Sequence, residues 1–94
     1  MSCIGYYTTS YEKLVEVFGK SEGSNGYKVS TEWDLTTDDG LTFSLYDYKE
    51  TSWYNGNLPS VKEFRSQSSY SWHICGFNSE DATRIILYLN KKLT

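Results

Sequence analysis

KVSTEWDLTTDDGLTFSLYDYK, residues 28–49, decides the fold because it holds two alternating segments joined by a tight turn. Segments 28–37 and 41–49 place apolar or β-branched side chains at every second position, which is typical of half-buried strands. Gly40 follows Asp39 in the turn and can adopt the positive φ that tight hairpins need. The sequence predicts an antiparallel hairpin whose apolar face carries Val29, Thr31, Trp33, Leu35, Leu41, Phe43 and Leu45.

A helix is predicted just before the hairpin. Thr9 and Glu12 have the spacing of a capping box, in which the Thr hydroxyl accepts from a helical amide and the Glu side chain reaches back. Apolar residues then recur at helical spacing, and Gly19 is a suitable stop. We therefore expect a helix over residues 10–18, followed by a flexible polar connection in KSEGSNG, residues 20–26.

Three further segments complete the expected fold. YSWHICGF, residues 70–77, alternates as a third strand, and residues 78–92 open with a polar cap and close with two lysines, as a terminal helix does. MSCIGYY, residues 1–7, is either an additional strand or a lead-in. The connection at 50–69 is long for a small domain and includes one candidate helical turn, capped by Ser60.

The expected architecture is α+β: a small two-layer sandwich in which two helices cover one face of an antiparallel sheet of three or four strands. The predicted order is helix, strand, strand, long loop, strand, helix. At 94 residues, with 38% apolar and 17% aromatic residues, the chain is long enough for one domain spanning residues 1–94.

Charge and cysteine content exclude several classes of function. The net charge of −3 comes without a basic stripe, so we expect no nucleic-acid partner. Cys3, Cys75 and His73 are too few for a zinc site, and we expect neither a metal nor a cofactor. No secretory signal or apolar membrane span is evident, which predicts no membrane partner and an intracellular location with reduced thiols. A disulfide between the two cysteines remains open.

Several blocks of the chain resemble a group of small proteins encoded by tailed phages and large DNA viruses. The matching blocks are Trp33, Asp39-Gly40, Tyr46-Asp47-Tyr48-Lys49 and Trp72-His73-Ile74, and the likeness covers most of the chain. Two motifs depart from the group. FGKS stands where FGEP is common, and Cys75 precedes a single Gly76 where a Gly-Gly pair is common. The resemblance implies a viral accessory protein in the host cytoplasm or the virion, with no activity to carry onto residues.

Asp47 is the most informative polar residue because the strand alternation places its carboxylate on the apolar face. A buried carboxylate needs hydrogen bonds or a cation. It is either a ligand-binding or acid-base group, or it accepts structural bonds from the Trp33 or Trp72 indole, a tyrosine hydroxyl or backbone amides. We favour the structural role, with Lys49 as either its partner or a solvated cation.

The opposite sheet face is expected to be polar and rich in tyrosine. Its candidate binding residues are Glu32, Asp34, Tyr46, Tyr48 and His73. Rings beside carboxylates suit a protein surface rich in Lys or Arg, whereas the acids disfavour base stacking. The alternative is a solvated face partly covered by the 50–69 loop.

A nucleophilic pair of His73 with Cys75 is disfavoured. Residues two apart on a strand stand about 7 Å apart at their Cα atoms, which is too far for a direct hydrogen bond. We therefore predict no catalytic residue, and we expect Cys75 to fill space as a buried or half-buried side chain.

Trp53 and Tyr54 lie in the long loop, where they either form an exposed binding tip or fold back as a lid over the sheet. We expect them to fold back, because a small domain gains most from burying its largest rings. Arg65 is the nearest cation that could join them around a ligand.

Three functions follow from these residues. The preferred one is a non-enzymatic interaction protein, a viral accessory or inhibitor that binds a host or virion protein. The first alternative is a capture protein for a small nucleotide-like ligand, acting as an anti-defence sponge, with Trp53, Tyr54 and Arg65 around the ligand. The second is an enzyme using Asp47 and His73. The preference rests on the lack of a phosphate-cradling loop, a metal cluster or a nucleophile motif in the sequence.

Overall fold

The structure, a computed structural model, describes residues 2–22 and 28–94 as an α+β fold. The predicted connection at 20–26 therefore lies partly outside the described residues. In chain order the elements are β1 (Ser2–Thr9), α1 (Tyr11–Phe18), β2 (Glu32–Thr36), β3 (Thr42–Tyr46), α2 (Val61–Arg65), β4 (Tyr70–Gly76), a 3-10 turn (Ser79–Asp81) and α3 (Ala82–Leu93).

Four strands form one antiparallel sheet in the order β1-β4-β3-β2. The fold class is the predicted one, and the sheet has the larger of the two expected strand numbers. The predicted element order gains a strand at its start and a helix in its loop, and both were among the alternatives that the sequence left open. The opening segment is strand β1, which pairs with β4, and the long connection contains helix α2.

The hairpin of β2 and β3 forms as predicted, with Gly40 at φ +90° in the turn. The first strand is shorter than expected because it begins at Glu32 rather than at Lys28. The backbone amides of Ser30 and Thr31 donate to the Asp47 side chain instead of to a neighbouring strand. Alternation therefore fails before Glu32, and Val29 lies beside the polar face rather than on the apolar one.

Helix starts follow from hydroxyl caps. Ser10, not Thr9, caps α1 by accepting a hydrogen bond from the Lys13 amide, because Thr9 is still part of β1. This corrects the predicted capping box. The predicted Ser60 cap of α2 is confirmed, since the Ser60 hydroxyl accepts from the Glu63 amide at 3.1 Å and donates to the Glu63 carboxylate at 3.1 Å.

The core lies between the helices and one face of the sheet. Trp33 and Trp72 meet edge to face with ring centroids 5.4 Å apart, and their indole N–H groups donate to the carbonyls of Gly19 and Thr9. The helices and the strands contribute to one buried cluster: Leu14, Trp33, Phe43, Leu45, Phe64, Trp72, Ile74, Ile85, Leu89 and Leu93. Of the residues predicted for the apolar face of the hairpin, Trp33, Phe43 and Leu45 are in it.

Ion pairs connect the tip of the hairpin to α3. Arg84 contacts the Asp39 carboxylate, and Lys91 lies 3.4 Å from that of Asp38. These pairs are exposed and add little stability individually. Among the helices within residues 2–22 and 28–94, none has the length and apolar character needed to cross a membrane.

Candidate interaction face

A row of four side chains crosses the polar side of the sheet, one from each strand. Glu32 lies opposite Tyr46, Tyr46 opposite His73, and His73 opposite Tyr6. Directly opposite residues of antiparallel strands point to the same side, with Cβ atoms about 4.5–5.5 Å apart. We call this face, with its row of Glu32, Tyr46, His73 and Tyr6, the open face.

The rings of the row pack on His73. The centroid of its imidazole lies 5.0 Å from that of Tyr6 and 5.2 Å from that of Tyr46, the latter ring nearly stacked. Tyr48, which follows β3, adds an edge contact at 5.8 Å. Tyr6 and Tyr48 remain 58% and 40% exposed, so the outer part of the cluster leaves ring surface open to solvent.

A bulge in β1 brings Cys3 onto the same face. The register passes from Cys3 opposite Cys75 to Gly5 opposite Ile74, so Ile4 is an extra residue in the strand. In a regular strand residues 3 and 6 would point to opposite sides, so without the bulge Cys3 would point to the core side. Cys3 Sγ instead lies 3.8 Å from His73 Nδ1. The thiol beside His73 is thus that of Cys3, from another strand, and not that of Cys75.

Carboxylates form the β2 end of the open face. The backbone amide of Glu22 donates to the carbonyl of Glu32 at 2.7 Å, which brings Glu22 alongside Glu32 and Asp34. Burial, aided by the neighbouring Asp34 carboxylate, raises the pKa of Glu32 to about 7. A hydrogen bond from the Ser44 hydroxyl at 2.6 Å lowers the pKa of Asp34. The cluster therefore carries the negative charge of Asp34 at neutral pH, where Glu32 exchanges a proton with solvent.

Burial also tunes the aromatic part of the face. It raises the pKa of Tyr46 to about 12, so this hydroxyl keeps its proton at neutral pH. It lowers the pKa of His73, so the imidazole is mainly neutral there. The open face thus pairs neutral rings with carboxylates. Beside them lies a depression of about 370 Å³, lined by Val29, Glu32, Asp34, Ser44, Tyr46 and Cys75.

Asp47 is fully buried on the apolar side, where alternation placed it. Its carboxylate accepts from the Ser30 amide at 2.8 Å, the Ser30 hydroxyl at 2.5 Å and the Thr31 amide at 2.8 Å. Of the donors that the sequence suggested for Asp47, backbone amides are the ones that bind its carboxylate, and they belong to the segment before β2. The indoles of Trp33 and Trp72 donate elsewhere.

Lys49 takes neither role expected for it. Its ammonium nitrogen lies 5.1 Å from the ring centroid of Tyr48 and 5.2 Å from that of Tyr54, as a cation over two aromatic faces. Its backbone is in the left-handed region at φ +59°, and its amide donates to the Lys28 carbonyl at 2.6 Å. Lys49 therefore links the open face to the loop that follows.

Trp53 and Tyr54 are exposed at 49% and 39%. The expectation that they fold back into a buried lid is wrong. The loop is held by its own backbone, with the Ser52 amide donating to the Pro59 carbonyl and the Tyr54 amide to the Thr51 carbonyl. A turn closed this way directs its rings to solvent.

Arg65 serves a different part of the molecule. Its guanidinium donates to Thr31 Oγ1 at 3.1 Å and to the Ser30 carbonyl at 3.3 Å, and it stacks over the Tyr11 ring at 4.8 Å. These contacts are on the helix side, next to the segment that binds Asp47. The structure thus brings together five of the eight predicted binding residues, Glu32, Asp34, Tyr46, Tyr48 and His73. Trp53 and Tyr54 lie in the adjacent loop, and Arg65 has a structural role.

Sequence reasoning missed Cys3, Tyr6 and Glu22 as parts of this face. The bulge interrupts the alternation of β1, although the β-prone run YYTT at residues 6–9 was a usable signal for a strand. The position of Glu22 depends on its contacts with Glu32 and Asp34, for which the sequence carries no signal. Within residues 2–22 and 28–94, no group of three or more His, Cys, Asp or Glu side chains is arranged to hold a metal ion.

Comparison with known proteins adds no family. No protein-family model matches the chain, and a search of curated proteins finds no significant relative. The resemblance to proteins of phages and large DNA viruses therefore stays a prediction.

Proposed function

We propose that this chain is a non-enzymatic interaction protein that binds a basic surface of another protein through its open face. In keeping with the resemblance noted from its sequence, the partner would be a host or virion protein and the role that of a viral accessory or inhibitor. The observation that carries the proposal is the row Glu32, Tyr46, His73 and Tyr6, which sets carboxylate and aromatic surface side by side.

Charge complementarity favours a partner rich in Lys or Arg. Glu22, Glu32 and Asp34 lie at one end of the face, and Tyr6 and Tyr48 expose ring surface at the other. Carboxylates pair with guanidinium or ammonium groups, and tyrosine rings pack on the alkyl stems and cationic heads of the same side chains. Rigid aromatic surface of this kind is enriched at the centre of protein interfaces.

The alternative of a nucleotide-like ligand has less support. Arg65, the cation expected to meet a phosphate, is bound to Thr31 and Ser30 on the helix side. The depression on the open face is lined by Glu32 and Asp34, which would repel an anion. Lys49 is the nearby cation with described contacts, and those contacts are to two tyrosine rings.

Selection from a random peptide library displayed on phage tests the proposal without a known partner. The immobilised chain should enrich peptides that combine Lys or Arg with aromatic residues. The Kd of a selected peptide should rise at least about 10-fold in Tyr48→Ala and in Glu32→Gln. This corresponds to a loss of about 1.4 kcal/mol of binding free energy, as expected for residues at the centre of an interface. The affinity should also fall as salt is raised, because the paired charges are exposed.

Leu87→Ala is the matched control, since Leu87 is 63% exposed on the outer side of α3. It should leave peptide affinity unchanged. Enrichment of acidic peptides, or equal loss of affinity in the control, would contradict binding at the open face. Loss in Trp53→Ala with Tyr48→Ala unaffected would place the interaction at the exposed loop instead.

A further inference from the structure

We propose that Cys3 and Cys75 form a thiol–disulfide site, which a low-molecular-weight disulfide such as oxidised glutathione converts into a cross-strand disulfide. The inference does not rest on the proposed partner binding, although the site lies on the open face and shares His73 with it. It rests on the pairing of β1 with β4, in which the two cysteines are directly opposite one another and both thiols are free.

The backbone spacing fits a disulfide. Directly opposite residues of antiparallel strands have Cα atoms about 4.5 or 5.5 Å apart, within the range of about 4.4–6.8 Å that a disulfide spans. The bulge at Ile4 gives both side chains the same direction, because it moves Cys3 onto the open face with Cys75. The two conditions for bridging, Cα spacing and a shared direction, are therefore met without moving the strands.

The two thiols differ in access. Cys3 is exposed, and its Sγ lies 3.8 Å from His73 Nδ1, which can accept the thiol proton. Cys75 is half-buried, and burial raises the pKa of its thiol. These environments assign Cys3 as the thiol that attacks an external disulfide and Cys75 as the one that resolves the product.

The reaction balances in two exchanges. Cys3 passes its proton to His73, and the Cys3 thiolate attacks one sulfur of oxidised glutathione, forming a mixed disulfide and releasing one glutathione thiolate. Cys75 then loses its proton to solvent and attacks Cys3 Sγ. This forms the Cys3–Cys75 bond and releases a second glutathione. The protein is oxidised by two electrons, and one oxidised glutathione is reduced to two glutathione molecules.

Intact-mass measurement after incubation with oxidised glutathione tests the site. The wild-type protein should end as a monomer lighter by two hydrogen atoms, and it should regain its mass with dithiothreitol. Cys75→Ser should stop at a single glutathione adduct on Cys3. Cys3→Ser should react at least about 10-fold more slowly, because its remaining thiol is half-buried. His73→Gln should slow formation of the adduct several-fold by removing the proton acceptor.

Serine substitutions at these positions are small, and circular dichroism verifies that the variants are folded. A wild-type protein that keeps two glutathione adducts, or that forms disulfide-linked dimers on a non-reducing gel, would overturn the proposal. Equal reaction rates in Cys3→Ser and Cys75→Ser would overturn the assigned order of attack. An unchanged rate in His73→Gln would remove His73 as the proton acceptor.

Discussion

Asp47 shows how one side chain organises a junction between segments. Its position on the apolar side follows from alternation with Leu45, so the sequence predicts its burial. Its donors were not predictable, because Ser30 and Thr31 lie 17 and 16 residues earlier and reach the carboxylate only by leaving the strand pattern. The same two residues also accept from Arg65. A buried polar network of this kind fixes where β2 begins.

Asp47→Ala is therefore expected to lower the free energy of unfolding by about 3 kcal/mol, since it leaves two buried amides without acceptors. Urea denaturation followed by tryptophan fluorescence measures this loss. Asp38→Ala is the control. It removes an exposed carboxylate paired with Lys91 and should cost less than about 1 kcal/mol. Similar losses in the two variants would show that the network around Asp47 contributes no special stability.

Glu32 gives the fold a pH dependence of predictable sign. Its pKa is raised from 4.5 to about 7 by burial and by Asp34. The folded state holds this proton more tightly than the unfolded chain, so its contribution to stability is complete below pH 4.5 and is lost as the pH rises to 7. The pH dependence from Asp34 has the opposite sign because its pKa is lowered in the folded state. Its contribution to stability is present above pH 3.8 and is lost as the pH falls below that value.

Glu32→Gln keeps the side chain neutral. The variant should match the wild type at pH 4 and be more stable by about 1 kcal/mol at pH 8, after allowance for the solvent-exposed part of the carboxyl. Thermal or urea unfolding at the two pH values measures the difference. Glu16→Gln, at a 70% exposed side chain, should show no such pH-dependent gain. If the difference in the free energy of unfolding between Glu32→Gln and the wild type is the same at both pH values, the raised pKa of Glu32 is refuted.

At the scale of elements, regular periodicity predicted β3, β4, α1 and α3 well. Each of these has a continuous run of alternating or helically spaced apolar residues that faces the core. Prediction failed where an extra residue shifted the alternation of side chains, or where residues of a predicted strand do not pair with the neighbouring strand. Ile4 does so in β1, and residues 28–31 do so before β2. Such irregularities depend on tertiary contacts, which local spacing does not contain.

Helix α3 allows a direct test of which helical face carries the stability. Leu89 is fully buried, whereas Leu87, two residues away, is 63% exposed. Leu89→Ala should lower the free energy of unfolding by about 3 kcal/mol, and Leu87→Ala should change it by less than about 0.5 kcal/mol. Urea unfolding compares the two. Comparable losses at both positions would mean that α3 does not pack on the sheet by the Ile85, Leu89 and Leu93 face.

At the scale of the whole molecule, β4 is the strand that holds the sheet together. It lies between β1, from the start of the chain, and β3, while β2 is an outer strand. Trp72 and Ile74 place their side chains in the core. Ile74 is paired with Gly5 of β1 and Leu45 of β3, and Trp72 is paired with Tyr7 of β1. Opening this strand requires opening most of the sheet.

Native-state hydrogen exchange should therefore find the amides of β4, above all those of Trp72 and Ile74, among the slowest to exchange. Their protection should approach the global free energy of unfolding, and outer strand β2 should exchange faster. Two-dimensional NMR in heavy water provides the rates residue by residue. Faster exchange in β4 than in β2 would contradict a sheet held by its inner strands.

The pairing of the strands in the sheet accounts for the candidate binding residues that the sequence predicted correctly as one face. Tyr46, Tyr48, His73, Glu32 and Asp34 sit on two predicted strands and the end of a third, and the sheet brings them together as alternation requires. Trp53, Tyr54 and Arg65 belong to the 50–69 connection, where spacing gives no direction. Their placement follows from local turns and from the contact of Arg65 with residues 30 and 31.

The extra residue at Ile4 also bears on how related chains should be recognised. The side chains of β1 on the open face are Cys3 and Tyr6, separated by two residues, rather than the one or three of a regular strand. A chain with one residue fewer between them would reach the same face by regular alternation, whereas a chain with this spacing in a regular strand would direct its cysteine toward the core. A related chain with a facing thiol pair therefore has either one residue between these two positions, in a regular strand, or two residues and a bulge.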